Sequence, residues 1–80
     1  MNKQYSKEEF DRRLEAVVAE YPQVAKRAAC AYQNAEDSLV DVEGYDSEDA
    51  CNDQSELFIE YFAMSMEGFA EDLENEEKGF

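Results

Sequence analysis

The chain has 80 residues, 44% of them apolar, and a formal net charge of −14 from 21 acidic against 7 basic side chains. Eighty residues make one small domain, 1–80, with a core worth only about 3–5 kcal/mol net, while five Phe and five Tyr exclude a purely disordered acidic tail. No stretch has the apolar length of a membrane span and residues 1–10 lack the apolar segment of a signal peptide, so the expectation is a cytoplasmic protein without membrane contact and with reduced cysteines.

Ser6 followed by Glu9 has the spacing of a capping box, and Phe10, Leu14, Val17, Val18 and Tyr21 follow at helical period until Pro22 stops the run. The first predicted helix covers about 6–21. Pro22 is tolerated in a first turn, and Val24, Ala28, Ala31, Tyr32, Ala35 and Leu39 carry the period through a second helix at 23–39. Its apolar face is mostly alanine, so large core side chains must come from its neighbours.

From residue 41 to 53 the period is lost and Asp, Glu, Ser and Asn dominate, which predicts a solvated acidic loop. Asp53 and Glu56 repeat the capping spacing ahead of Phe58, Tyr61, Phe62, Ser65, Met66, Phe69 and Leu73, predicting a third helix over 54–74 and a frayed tail at 75–80. Gly68 inside that helix costs roughly 1 kcal/mol relative to Ala and suggests a close backbone contact or a bend. Nothing alternates long enough for a strand. The fold class expected is all-α: an antiparallel three-helix bundle with Phe10, Leu14, Val17, Val24, Ala28, Ala31, Leu39, Phe58, Phe62 and Phe69 in its core.

The charge is not spread evenly. Residues 1–28 are nearly neutral, whereas the fifty residues between Arg27 and Lys78 hold sixteen carboxylates and no cation. On a wheel of about 100° per residue, Glu56, Glu60, Glu67, Glu71 and Glu74 fall within about 60° of one another, opposite the apolar face. A helix built only for solubility intersperses Lys with Glu; here the like-charged pairs cost a few tenths of a kcal/mol each. The ridge continues into the loop acids Asp41, Glu43, Asp46, Glu48 and Asp49.

Carboxylates one turn apart are about 5–6 Å from each other, of the order of the spacing of successive phosphates along a nucleic-acid strand. A protein that binds DNA or RNA through Lys and Arg gains counterion release from either row. Specificity then requires apolar anchors beside the acids; Tyr45 in the loop and Leu57 and Met64 on the flank of the third helix are the candidates.

In size, charge and helical texture, residues 36–77 resemble the small acidic proteins that bacteriophages use against host defences, the DNA-mimic anti-restriction and anti-CRISPR proteins. That resemblance implies a stoichiometric inhibitor without catalytic turnover. Its partner would be a basic nucleic-acid-binding host protein or effector complex, with no direct binding of nucleic acid by the inhibitor itself.

Other chemistries fit less well. An EF-hand loop needs acids at its first, third and fifth positions and Gly at the sixth, but Gly44 follows Glu43 at once, so no metal is expected. Cys30 and Cys51, without any histidine, assemble neither a zinc site nor a Cys-His nucleophile and are expected as free thiols. Catalysis and cofactors are not expected. The alternative function is a helical adaptor or homodimer that meets its partner through Tyr61, Phe62, Met66 and Phe69.

Overall fold

Ser6 starts the first helix as its spacing demands: its backbone is extended and its hydroxyl oxygen accepts from the Glu9 amide at 3.2 Å. The Glu9 carboxylate does not complete a capping box; it is held by Arg12 at 2.8 Å and Arg13 at 3.1 Å. The structure, a computed structural model, describes residues 3–77. Its elements are α1 Lys7–Glu20, a 3-10 turn Pro22–Arg27, α2 Ala28–Asp41, α3 Ser47–Asn52 and α4 Glu56–Glu77. Among the described residues there is no strand, only an isolated bridge between Gln4 and Ser55. The fold is all-α.

Among the described residues four α-helices replace the three expected. Pro22, which has no N–H to continue the ladder, ends α1 at Glu20, and the chain turns through the 3-10 segment before α2 begins. Val24 leaves helical geometry there (φ −123°, ψ 21°) and is buried, so the continuous helix expected over 23–39 is divided. Beyond Asp41, Gly44 takes φ +79°, the left-handed conformation that glycine adopts without steric cost. The Tyr45 amide then donates back to the Leu39 carbonyl at 3.0 Å.

The expected loop at 41–53 is half helical. Asp46 is extended and its carbonyl accepts from the Ala50 amide at 2.9 Å, opening α3, while Glu48 and Asp49 complement the positive end of that short helix. Ala50, 1% exposed, packs on the core. Asp53 does not cap the last helix. Ser55 does, its hydroxyl oxygen accepting from the Phe58 amide at 3.4 Å, and Asp53, itself buried, accepts from the Ser55 amide at 3.3 Å and from the Ser55 hydroxyl. The helix therefore starts at Glu56 rather than 54 and continues past the expected end at 74 to Glu77; positions 78–80 of the expected frayed tail lie outside the described residues.

The N-terminal segment closes this corner. The Gln4 side chain donates to Asp53 at 2.9 Å and accepts from the Gln54 amide at 2.6 Å, and the Tyr5 amide donates to the Gln54 carbonyl at 2.8 Å. Helix α4 packs on both α1 and α2, most extensively on α2. Phe58 is fully buried at the centre, edge-on to Phe10 (5.3 Å, 68°) and tilted against Tyr32 (4.8 Å, 57°), geometries worth about 0.5–1.5 kcal/mol per pair beyond burial.

Leu14, Val17, Ala28 and Phe69 are half-buried around that core, and Ala35, Ala50, Ile59 and Met66 join it. Of the four aromatic-face residues expected as a partner surface, Phe62 and Met66 lie in the core and Phe69 is half-covered with Arg27 stacked over its ring at 5.2 Å. Tyr61 is half-buried, with its hydroxyl on Glu43. A Cβ at Gly68 would meet nothing within 4 Å, so neither close approach nor crowding requires glycine there.

Candidate functional site

A helix packed along one side leaves its opposite face to solvent, and α4 presents Glu56, Glu60, Glu67, Glu71 and Glu74 there, all exposed. The row is regular except where the step of four after Glu60 falls on Met64, which is 62% exposed. Glu60 lies one turn before this methionine, and Glu67 and Glu71 lie one and two turns after it. An exposed thioether among carboxylates is the most solvent-accessible large apolar side chain of the helix.

The five glutamates are not equivalent. Glu56 accepts from the Tyr5 hydroxyl at 2.7 Å and lies 3.8 Å from the Arg13 guanidinium, which itself stacks over the Tyr5 ring at 4.3 Å. Its charge is therefore partly compensated at the α1 edge, and the hydrogen bond it receives raises the Tyr5 phenol above its ordinary value. Glu60, Glu67 and Glu71 take part in none of the ion pairs among the described residues, all of which involve cations of α1. These three form the uncompensated centre of the ridge.

Toward the end of α4 the field is strengthened by another element. Glu20 at the end of α1 joins Glu67, Glu71, Glu74 and Glu77 around an open depression of about 410 Å³ floored by Tyr21 and Leu73. Like charges this close repel at a cost that salt screens.

The expected loop contribution is divided. Asp41, Glu43, Asp46, Glu48 and Asp49 are exposed. Glu43 is tied to α4, accepting from the Tyr61 hydroxyl at 2.7 Å, and that bond is the main reason the Tyr61 phenol is raised. Tyr45 and Leu57 are half-buried against the core, so of the three anchors expected only Met64 stands free of the core. Cys30 and Cys51 are exposed free thiols; the Cys51 thiol bonds Glu36, which raises it and keeps it protonated. Among the described residues no three His, Cys, Asp or Glu side chains are placed to hold a metal ion, and no helix is long and apolar enough to cross a membrane.

Compared with known protein families, curated proteins and solved structures, the chain has no significant match.

Sequence reasoning missed Tyr61 as the residue that ties Glu43 to α4, and Tyr5 and Arg13 as the groups that moderate Glu56. The signal for Tyr61 was its place on the wheel, about 100° round from Glu60 and outside the apolar arc. No local signal joins Tyr5 to Glu56, fifty-one positions away.

Proposed function

We propose that this protein is an acidic nucleic-acid mimic whose α4 ridge occupies the basic DNA- or RNA-binding site of a host protein, as a phage anti-CRISPR or anti-restriction protein would. The observation that carries the reading is the row Glu60, Glu67 and Glu71: exposed, without a cation partner among the described residues, held on one rigid helix, and interrupted by the exposed Met64. A solvated face has no need of uncompensated repulsion at one-turn spacing, which lowers helix stability. A basic groove converts that repulsion into attraction by releasing the counterions of both surfaces, and long-range steering brings the acidic face in first. Met64 supplies a flexible, polarisable contact that adapts to an apolar spot beside the phosphate track.

The test is displacement of labelled DNA or RNA from a panel of host defence effectors, comparing the parent with Glu60→Gln, Glu67→Gln and Glu71→Gln combined. Near-surface charge contacts are worth up to about 1 kcal/mol each, so the triple variant is expected to compete about 10- to 100-fold less well with the effector that the parent inhibits. A triple variant that competes as well as the parent would refute mimicry through this ridge.

A further inference from the structure

Helices α1 and α2 leave an open groove between them. Leu14 and Val18 on one side and Ala28, Ala29 and Tyr32 on the other border about 480 Å³ above Phe62, which is itself 2% exposed. Small alanines on α2 are the cause: they bring no side chain long enough to reach Leu14 and Val18, which stay half-buried. By helical geometry Phe62 lies about 120–180° round α4 from every glutamate of the ridge, so the groove belongs to the opposite side of the molecule. Its occupant is a separate question from the mimicry of α4.

The rim supplies the answer in charge. Glu15 borders the groove. Glu36 lies one turn beyond Tyr32 on α2 and Asp11 one turn before Glu15 on α1; burial first, and then the charges of Glu36, Cys51 and Asp11, raise the Tyr32 phenol. Asp11 is paired with Lys7 at 3.5 Å in a solvated contact, and Glu36 bonds the Cys51 thiol rather than a cation. An apolar floor with an acidic rim excludes a polyanion. It also disfavours a second copy, because two chains of −14 would bring the same acids together.

We infer that the α1–α2 groove is a docking site for a basic amphipathic segment, which seats an aliphatic side chain between Leu14, Val18 and Tyr32 and sets Lys or Arg against Glu15, Glu36 and Asp11. The mode is helix in groove, read by an apolar anchor and bordered by charge. The polarity of the groove decides between partners that share a positive charge. A Lys-rich segment without apolar residues gains only screened surface attraction, whereas one carrying leucine also buries that side chain.

The full chain is titrated at near-physiological salt with two synthetic helical peptides of equal charge, one with leucines a turn apart among lysines, the other with alanines in their place. The leucine peptide is expected to bind at least about tenfold more tightly. Ala29→Arg, at an exposed position on the groove's edge, is expected to abolish that preference, and Glu15→Lys to weaken both peptides. The ridge triple variant is expected to keep the preference, which separates this site from mimicry. Helicity of each variant is checked by circular dichroism. Equal affinity of the two peptides, a preference that survives Ala29→Arg, or a dimer in sedimentation that Ala29→Arg dissociates would each overturn the assignment.

Discussion

Replacing Asp53 with alanine tests the corner that ties the N-terminal segment to the start of α4. Asp53 is 7% exposed and accepts from the Ser55 amide, the Ser55 hydroxyl and the Gln4 side-chain amide. Gln4 is exposed, so its amide regains water when the carboxylate is lost. Ser55 is fully buried, and its two donors do not. Hydrogen bonds to charged groups contribute about 1.5–3 kcal/mol each, and two on one serine add less than independently. The expected loss is therefore about 2–4 kcal/mol, or a fall in Tm of about 10–30 °C for a domain of this size. Urea unfolding followed by circular dichroism measures it. Asp53→Asn is expected to cost less, but not nothing. Gln4 cannot turn its amide to suit the new side chain without giving up the bond its oxygen accepts from the Gln54 amide at 2.6 Å. An alanine variant within about 0.5 kcal/mol of the parent, the range of ordinary surface changes, would show that this network does not hold the corner.

Gly68→Ala is expected to raise stability by about 1 kcal/mol, because a Cβ there meets nothing within 4 Å. Gly44→Ala should cost about 1–2 kcal/mol through its left-handed φ of +79°; chemical denaturation reads both, and equal effects would refute the backbone argument. The Tyr61 phenol is raised above 10.0 chiefly by its bond to Glu43. The folded state thus holds that proton more tightly than the unfolded one. Its contribution is complete below about pH 10 and is lost as pH rises through the raised folded value, so Tyr61→Phe should flatten the alkaline limb of the stability profile. Raising NaCl from about 0.01 M to 1 M shortens screening from about 30 Å to 3 Å, and Tm should climb as the repulsion among Glu20, Glu67, Glu71, Glu74 and Glu77 fades; a fall would contradict that account of the acidic depression.

How much of this was legible in the sequence depends on how local each feature is. The Ser6 cap, the stop at Pro22 and the solvent-facing glutamates of α4 follow from spacing alone, and the structure has all three. Helix α3 was not legible as a period, since Ala50 is its one buried side chain and six residues complete less than two turns. Its signals were Asp46 before Ser47 and the acids Glu48 and Asp49 in the first turn. Asp53 was read as a cap because the spacing to Glu56 fits one. Its actual role depends on Gln4, forty-nine positions away, and no local pattern records that. Ile59 and Met66 are buried because α4 is covered from two sides, α1 and α2, which widens its buried arc beyond a single stripe. Leu14 and Val18 have the spacing of core residues but stay half-buried, and the alanine-rich face read on the second helix was the signal that little would cover them.

Among the described residues, Phe58, Ile59, Phe62 and Met66, four of the ten buried apolar side chains, belong to α4, and Phe58 is the central ring on which Phe10 and Tyr32 meet. Residues 3–52 contribute to the fully buried core Phe10, Val24, Leu39 and three alanines. The strap formed by Gln4 and Tyr5 has its partners at residues 53–56, about fifty positions away. Such non-local closure delays folding relative to local helix formation. The segment that carries the candidate interface thus also supplies four of the seven buried side chains larger than alanine, so the acidic helix and the core stand or fall together.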